Sequence, residues 1–424
     1  MNLLTLPLYL LFGVLQALVL VHVAYLWLPA LVRLALHGRL QAMLRADAGR
    51  PGPPTTELVV LIPAHNEAEV IGALLGSLRA QTYPGDRFAV HVVSDNSTDA
   101  TADVVRAAGY VAHERVTAEP STKARALAWL WDRLVAEGRV PETAVVVVLD
   151  ADSTVAPDFL AELDRALATG ADVVQAARTA EIEGVSPLAA LEAVNEQIRE
   201  LYWGGARRAL GLSSYLRGSG MAFRRAIFHE LMQFEAPSRT LTEDAVWQYW
   251  LARHHIRVLW WPAARLTAEA VPNLREFGKQ RRRWVGDRIR ASSRRGWPLL
   301  LQGIRRGSLS QIDQALNVLH LPRSVVVLLT LAAAAAAAVW PRAAVLPWWG
   351  WLALVAGFGL YLLSGLMTLR PAARVYRSLL LLPLVVAQIA LIGLLAPLQR
   401  RQPRWEAVEH GRSARHLQPG VGHE

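Results

Sequence analysis

The sequence predicts an α/β domain carried between apolar helices. Three observations predict it. Between residues 57 and about 270, short β-branched runs alternate with helical stretches. Long blocks without Asp, Glu, Lys or Arg stand before and after that region. Acidic residues follow each of the first three predicted strands, at the carboxyl ends where an open α/β sheet binds its ligands.

Taken in order, the chain of 424 residues starts with an uncharged run from Leu3 to Val32, and Arg33 is its first charged residue. A bilayer core takes roughly 20 apolar residues, so residues 1–36 are expected to form a transmembrane helix. The run is too long for a cleaved signal peptide, and no basic residue precedes it. Arg33, Arg39, Arg45 and Arg50 follow it, which puts this side in the cytosol by the positive-inside rule. Residues 37–56, ending in Pro-Gly-Pro-Pro-Thr-Thr, are expected to be a linker.

The α/β domain is expected over residues 57–290. Its strands are read in ELVVLIPA, FAVHVVSD and AVVVVLDA, with helices near 68–80, 99–108 and 123–136. This alternation predicts parallel strands joined by helical crossovers. Residues 291–322 are expected to form amphipathic interface helices, Ser308–Leu321 lying on the membrane. Residues 323–399 hold three uncharged blocks, Ser324–Pro341, Ala343–Leu369 and Ser378–Gln399. Trp340, Trp348, Trp349 and Trp351 cluster there as an interfacial belt would. Three spans starting in the cytosol would place the tail, 400–424, outside. Its basic residues argue for inside, so two or three spans are expected, and the Ala-rich block is the shortest.

The absence of cysteine excludes a disulfide scaffold, thiol catalysis and a cysteine-zinc site. The net charge of +10 accompanies 53% hydrophobic residues. With the apolar residues in long blocks, the basic excess is read as contact with anionic membrane lipids. No nucleic-acid reader motif is present, so no nucleic-acid partner is expected. No G-x-G-x-x-G follows the first strand, which weighs against a dinucleotide oxidoreductase.

Four clusters carry candidate chemistry. Asp150 and Asp152 follow AVVVVL and share one side of extended chain. Two such carboxylates repel unless a cation lies between them, and Mg²⁺ or Mn²⁺ bridging to a diphosphate is the natural occupant. The alternative is a helix cap ahead of Pro157. Asp95, before Asn96, Ser97 and Thr98, either accepts hydrogen bonds from a base or ribose or belongs to a capping turn. Thr242-Glu243-Asp244 precedes a tryptophan-rich helical stretch. It is either a helix start or the source of a carboxylate base for an acceptor hydroxyl. Gln280-Arg281-Arg282-Arg283-Trp284 is either a basic helix on lipid headgroups or a clamp in which arginine neutralises a diphosphate and tryptophan stacks on a sugar.

In this order the motifs HNE, DNSTD, DAD, TED and QRRRW resemble family 2 of the inverting glycosyltransferases. The closest branch is similar to the membrane-integrated synthases of cellulose, chitin, hyaluronan and poly-N-acetylglucosamine. The resemblance implies a cytosolic GT-A fold, a Rossmann-like nucleotide-sugar-binding domain, flanked by transmembrane helices. It implies that Pro63, His65 and Glu67 line the nucleotide pocket and that Asp95 binds the base. Lys123 would sit near the diphosphate, in Ser-Thr-Lys-Ala where the family usually has Gly-Lys-Gly. Asp150 would contact nucleotide and metal, and Asp152 would ligate the metal. Gly218, Ser219 and Gly220 would form the acceptor floor, and Glu243 would join the substrate-binding residues. Asp244 would be the general base, while Gln280, Arg283 and Trp284 would bind diphosphate and acceptor.

The implied activity is transfer of a sugar from a nucleotide sugar, a UDP-sugar being the expected donor, to a polysaccharide or lipid-linked acceptor with a β-linkage. The implied setting is the inner (plasma) membrane, crossed more than once, with an accessory partner needed if a polymer is exported. A non-processive glycolipid synthase of the ceramide or diacylglycerol type shares the pattern. A non-catalytic nucleotide sensor would have no need of base and clamp together.

Overall fold

The computed structural model describes residues 6–48, 54–119, 121–179, 185–235, 242–268 and 273–395. Eight strands form one sheet: β1 Leu58–Ala64, β2 Phe88–Asp95, β3 Val111–Arg115, β4 Val145–Val148, β5 Ser153–Val155, β6 Val173–Thr179, β7 Met221–Arg224 and β8 Val258–Ala268. Their order across the sheet is β3-β2-β1-β4-β7-β6-β8-β5. All seven residues of β1 and all four of β4 are buried, as expected of strands covered on both faces. Leu74, Leu78, Phe159 and Leu163 cover one face, while Leu127, Trp131, Phe228 and Trp247 cover the other.

The three helices expected between the first strands form as Ile71–Arg79, Thr101–Ala107 and Lys123–Ala136. The three strands read from the sequence, β1, β2 and β4, are parallel as expected, while the whole sheet is mixed. β3, β2, β1 and β4 are parallel neighbours, but β7 runs antiparallel to β4 and to β6. The reason is where the chain enters β7. Met221 pairs with Val148, so β7 starts at the carboxyl end of β4 and has to run back along it. That entry lays residues 217–220 beside Asp150.

Between β6 and β7 the chain makes a long helical excursion that the sequence pattern did not single out. Helix Pro187–Arg199 passes through a π turn, Glu200–Gly204, into helix Gly205–Leu210. Ser186 caps its start by accepting from Ala189 N, and Pro187 sits in the first turn. Gly211, in the left-handed conformation, ends it.

The segment expected to be a linker begins with a helix, His37–Ala48. Leu40 is buried, and Asp47 pairs with Arg208 at 2.6 Å. One apolar and one acidic contact hold this segment on helix Gly205–Leu210. Within 291–322, where interface helices were expected, the chain forms helices Trp297–Arg306 and Leu309–Leu319. The second turns polar side chains to the α/β domain. Gln311 donates to Ala252 O at 3.0 Å and Gln314 to Ser213 O at 2.8 Å.

Among the described residues three helices are long and apolar enough to cross a membrane: Tyr9–Ala35, Trp348–Leu369 and Val375–Leu395. The Ala-rich block forms a 17-residue helix, Arg323–Val339, bent 77° from Leu309–Leu319. The N-terminal helix is bolted to the domain by a buried polar knot. Tyr25 OH lies 2.9 Å from Tyr215 OH and donates to Asp313 O at 3.0 Å. Arg207 donates to both carboxylate oxygens of Asp313, at 2.8 and 2.7 Å.

Candidate active site

The strand ends converge because their loops are stitched together. After β1, Asn66 takes a left-handed conformation (φ 57°), which asparagine tolerates better than most residues. Its Oδ1 accepts from Thr98 N at 2.7 Å, and Glu67 N donates to Thr101 Oγ1 at 2.9 Å. After β2, Asn96 is also left-handed (φ 51°) and donates to Thr117 O at 3.0 Å and Ser121 Oγ at 2.9 Å. The turn residues of DNSTD therefore shape the rim, as the turn reading expected. His65 Nδ1 donates to the carbonyl of Asp95 at 2.6 Å, joining the two loops.

Asp95 has no exposed surface and pairs with Arg115 at 2.6 Å. Its second oxygen is buried without a hydrogen-bond partner among the described residues. Arg115 was missed by sequence reasoning because Val-Ala-His-Glu-Arg lacks an apolar alternation. Once β3 is placed, the register puts Arg115 opposite Asp95.

Asp150 and Asp152 follow β4 directly and do not cap a helix. The next helix, Phe159–Leu167, starts seven residues after Asp152 with Asp158 at its N-cap position. Asp150 N donates to Ser219 Oγ at 2.9 Å, and Asp150 Oδ1 accepts from Lys123 at 2.5 Å. Lys123 also donates to Gly218 O at 2.5 Å and lies 3.0 Å from Glu243 Oε1. One ammonium thus gathers the DAD strand end, the LRGSG loop and the TED helix start.

Ser219 and Gly220 are corrected from their expected place on the acceptor floor. Both are buried, and Ser219 supports the backbone of Asp150 from beneath. Gly220 has φ +69°, and a Cβ there would stand 2.0 Å from Leu266 Cδ2. The Leu266 side chain and Ala176 Cβ close over this position, and with the left-handed backbone they demand glycine here.

A cavity of about 670 Å³ opens beside these strand ends. Pro63, Glu67, Lys123, Asp150, Asp152 and Gly218 face it from the sheet side, and Glu243, Asp244 and Gln280 from the helices. His65, Asp95 and Ser219 do not line it. The side chains of Arg283 and Trp284 lie outside the described residues. The cavity continues past Arg199, Arg217 and Arg323 to Leu26, Phe358, Leu362, Val386 and Ile389 on the apolar helices. Sequence reasoning missed this second half, since helix 187–199 carries no motif and its arginine reads as surface charge.

A family profile described as "Glycosyltransferase like family 2" matches residues 53–287, more than half of the chain. The chain belongs to glycosyltransferase family 2. This glycosyltransferase is 27% identical over 234 residues to "Probable glycosyltransferase YdaM" of Bacillus subtilis (strain 168). That match covers 53% of this chain and 54% of the relative, so it spans about half the relative's length. In fold the glycosyltransferase is similar to mannosyltransferase PcManGT from Pyrobaculum calidifontis, solved with GDP-Man and Mn2+. The TM-score is 0.51 at 22% identity, over 90% of this chain and 99% of that one.

The electrostatics of the glycosyltransferase's cavity are set by burial. Burial, and then the neighbouring Glu243 carboxylate, raise Asp244 to about 6, against the pull of Lys123. Burial opposes the charge on Lys123, but Asp150 and Glu243 outweigh it and hold the ammonium above its ordinary range. So Lys123 stays protonated while Asp244 titrates close to neutrality, where a general base is most effective.

Proposed function

We propose that this glycosyltransferase moves a sugar from a nucleotide-sugar donor to a lipid acceptor that enters from the membrane, with inversion at the anomeric carbon. The observation that carries the reading is a single cavity with two ends. One end holds Asp150, Asp152, Lys123 and Asp244, and the other is walled by apolar side chains from the candidate spans. A water-soluble acceptor would have no use for the second end.

In this reading Asp95, with its buried acceptor oxygen, and the adjoining His65 and Glu67 loop hold the nucleoside, expected to be uridine. Asp152, with Asp150, would hold Mg²⁺ or Mn²⁺. Among the described residues no third His, Asp or Glu joins such a group, and hard cations of this kind are usually held by one or two carboxylates completed by substrate phosphates. The donor set therefore fits a metal that arrives with the diphosphate. When bound, the ion would supply positive charge to the departing nucleoside diphosphate. Lys123 orients Asp150 and adds a fixed cation at the same end. Asp244 takes the proton of the acceptor hydroxyl as the new C–O bond forms. Gln280, Arg283 and Trp284 are assigned to the diphosphate and acceptor on the strength of the motif. In this reading the protein belongs to the plasma membrane with its α/β domain in the cytosol, a reading supported by the three apolar helices and the arginines following the first.

The test is incubation of the full chain in lipid with a panel of nucleotide sugars and Mg²⁺ or Mn²⁺. Mass analysis of the organic and aqueous phases follows. A single-sugar product in the organic phase is expected. Sugar recovered only in a water-soluble polymer would overturn the lipid acceptor, and no donor turnover at all would overturn the enzyme reading.

A further inference from the structure

We infer that Gln175 is a positioning residue for the diphosphate end of the site: its side chain clamps the loop 217–220, and that loop sets Asp150 and Lys123. The inference rests on the reading of Asp150, Asp152 and Lys123 as the metal and diphosphate end, and it adds what holds that end in place.

Gln175 lies in β6, an inner strand of the sheet, and has no exposed surface. Its neighbours Val173, Val174, Ala176 and Ala177 are apolar and buried. A buried amide in such a strand is costly unless its donors and its acceptor are met. Here they are met. Oε1 accepts from Arg217 N at 2.9 Å, and Nε2 donates to Ser219 O at 2.9 Å and to Ala176 O at 3.0 Å. The side chain thus grips the loop at two residues, one on either side of Gly218.

A side-chain grip is needed because the strand ladder has run out. β6 pairs with β7 through Val173–Phe223, Val174–Ala222 and Gln175–Met221, and Ala176 N still donates to Gly220 O at 2.8 Å. Gly220 and Gly218 then take left-handed conformations, at φ +69° and +81°, and the backbone of 217–219 leaves the line of β6. A glutamine amide offers the same N–H and C=O groups as a peptide. Gln175 therefore supplies the pairing that the ladder no longer provides. The Arg217 guanidinium is fixed separately, by Glu196 and Glu200.

What the clamp holds bears directly on Asp150. Gly218 O accepts from Lys123 at 2.5 Å, and Lys123 donates to Asp150 Oδ1 at 2.5 Å. Ser219 Oγ accepts from Asp150 N at 2.9 Å. Both the main chain and the carboxylate of Asp150 thus take their places from this loop. Gln175 does not line the cavity, so it acts through the loop alone. Groups that orient a metal ligand without touching the metal typically carry roughly 10–100-fold in metal affinity.

The test uses the full chain in lipid, the nucleotide sugar it turns over fastest, and Mn²⁺. Gln175→Met keeps the volume and removes both hydrogen-bonding groups. It is expected to raise the donor KM and the Mn²⁺ concentration for half-maximal activity by about tenfold or more, with the acceptor KM within about twofold. Calorimetry with the matching nucleoside diphosphate is expected to give a Kd weaker by about tenfold or more with Mn²⁺ and changed less than about threefold without it. Ser219→Ala is expected to show the same pattern. The double variant is expected to lose no more than about threefold beyond the worse single variant, since both act through Asp150. If Gln175→Met does not unfold cooperatively, Gln175→Asn takes its place, one methylene too short to reach Arg217 N and Ser219 O together. Equal weakening with and without Mn²⁺, losses that multiply in the double variant, or constants like those of the wild type would each overturn the inference and leave the reading of the site intact. A wild-type chain that turns over no nucleotide sugar and binds no nucleoside diphosphate overturns that reading, and the inference with it.

Discussion

Lys123 stands 2.5 Å from Asp150 Oδ1 in the wall of the active site. Its ammonium reaches Glu243 at 3.0 Å as well, so one side chain holds two motifs that lie far apart in the sequence. Removing it strands both carboxylates. Lys123→Met is expected to lower stability by about 2 kcal/mol, less than for a fully buried pair because Asp150 is part-exposed. It is also expected to reduce kcat/KM for the donor at least about a hundredfold. Thermal unfolding and steady-state kinetics measure the two effects separately.

Asp244→Asn keeps the shape of the site and removes the proposed base. A fall in kcat of roughly 10²–10⁴-fold is expected, with nucleoside diphosphate binding by calorimetry unchanged. Turnover near that of the wild type would refute the role given to Asp244.

The pH dependence follows from the raised pKa of the same group. Asp244 acts as a base only when ionised, so kcat/KM is expected to fall about tenfold per unit as pH drops below about 6. Stability runs the other way. Between its ordinary value of 3.8 and about 6, the folded protein holds a proton on Asp244 that the unfolded chain has lost. Stability therefore falls as pH rises through that window, and ionised Asp244 is a standing cost on the order of 3 kcal/mol at neutral pH. Asp244→Asn is expected to raise Tm at pH 7.5 and to leave it nearly unchanged at pH 4.

Arg115 and Asp95 form a buried pair, 10% and 0% exposed. Arg115→Ala leaves the Asp95 carboxylate buried without its cation, and a loss of about 3–5 kcal/mol is expected. The double variant Arg115→Met with Asp95→Asn is expected to regain most of that stability, yet still bind nucleotide weakly. Chemical denaturation and nucleotide titration of the three proteins decide this.

Gly220→Ala tests the packing beneath the site. The added methyl would stand 2.0 Å from Leu266 Cδ2 and 3.0 Å from Ala176 Cβ, on backbone at φ +69°. Overpacking and left-handed strain together are expected to lower stability by about 2–4 kcal/mol. A Tm within a degree of the wild type would show that the Leu266 side chain can move aside freely.

How much of this was legible in the sequence differs by residue. β1, β2 and β4 announce themselves because strands buried on both faces are continuous apolar runs. β3 does not, because an edge strand with polar side chains has no such signature, and Arg115 was lost with it. Asp150, Asp152, Lys123 and Asp244 were legible through motif order, although the salt bridges among them depend on long-range packing. Ser219 and Gly220 were expected on the acceptor floor, and a motif does not say which side of a loop faces inward. Arg199 was illegible altogether. On a helix with mixed charge, nothing local distinguishes an arginine that faces solvent from one that faces a cavity.

The knot of Tyr25, Tyr215, Arg207 and Asp313 ties the N-terminal helix to the loop that leads into Arg217 and Gly218. Tyr215 sits only two residues before Arg217 in the cavity wall. The active site therefore rides at a constant height above the apolar helices and cannot bob toward or away from them. Such a mount works as a depth gauge. On the proposed reading, a molecule anchored in the bilayer could present an oxygen to Asp244 only if its headgroup spanned that one distance, so reach would join chemistry in selecting what is glycosylated.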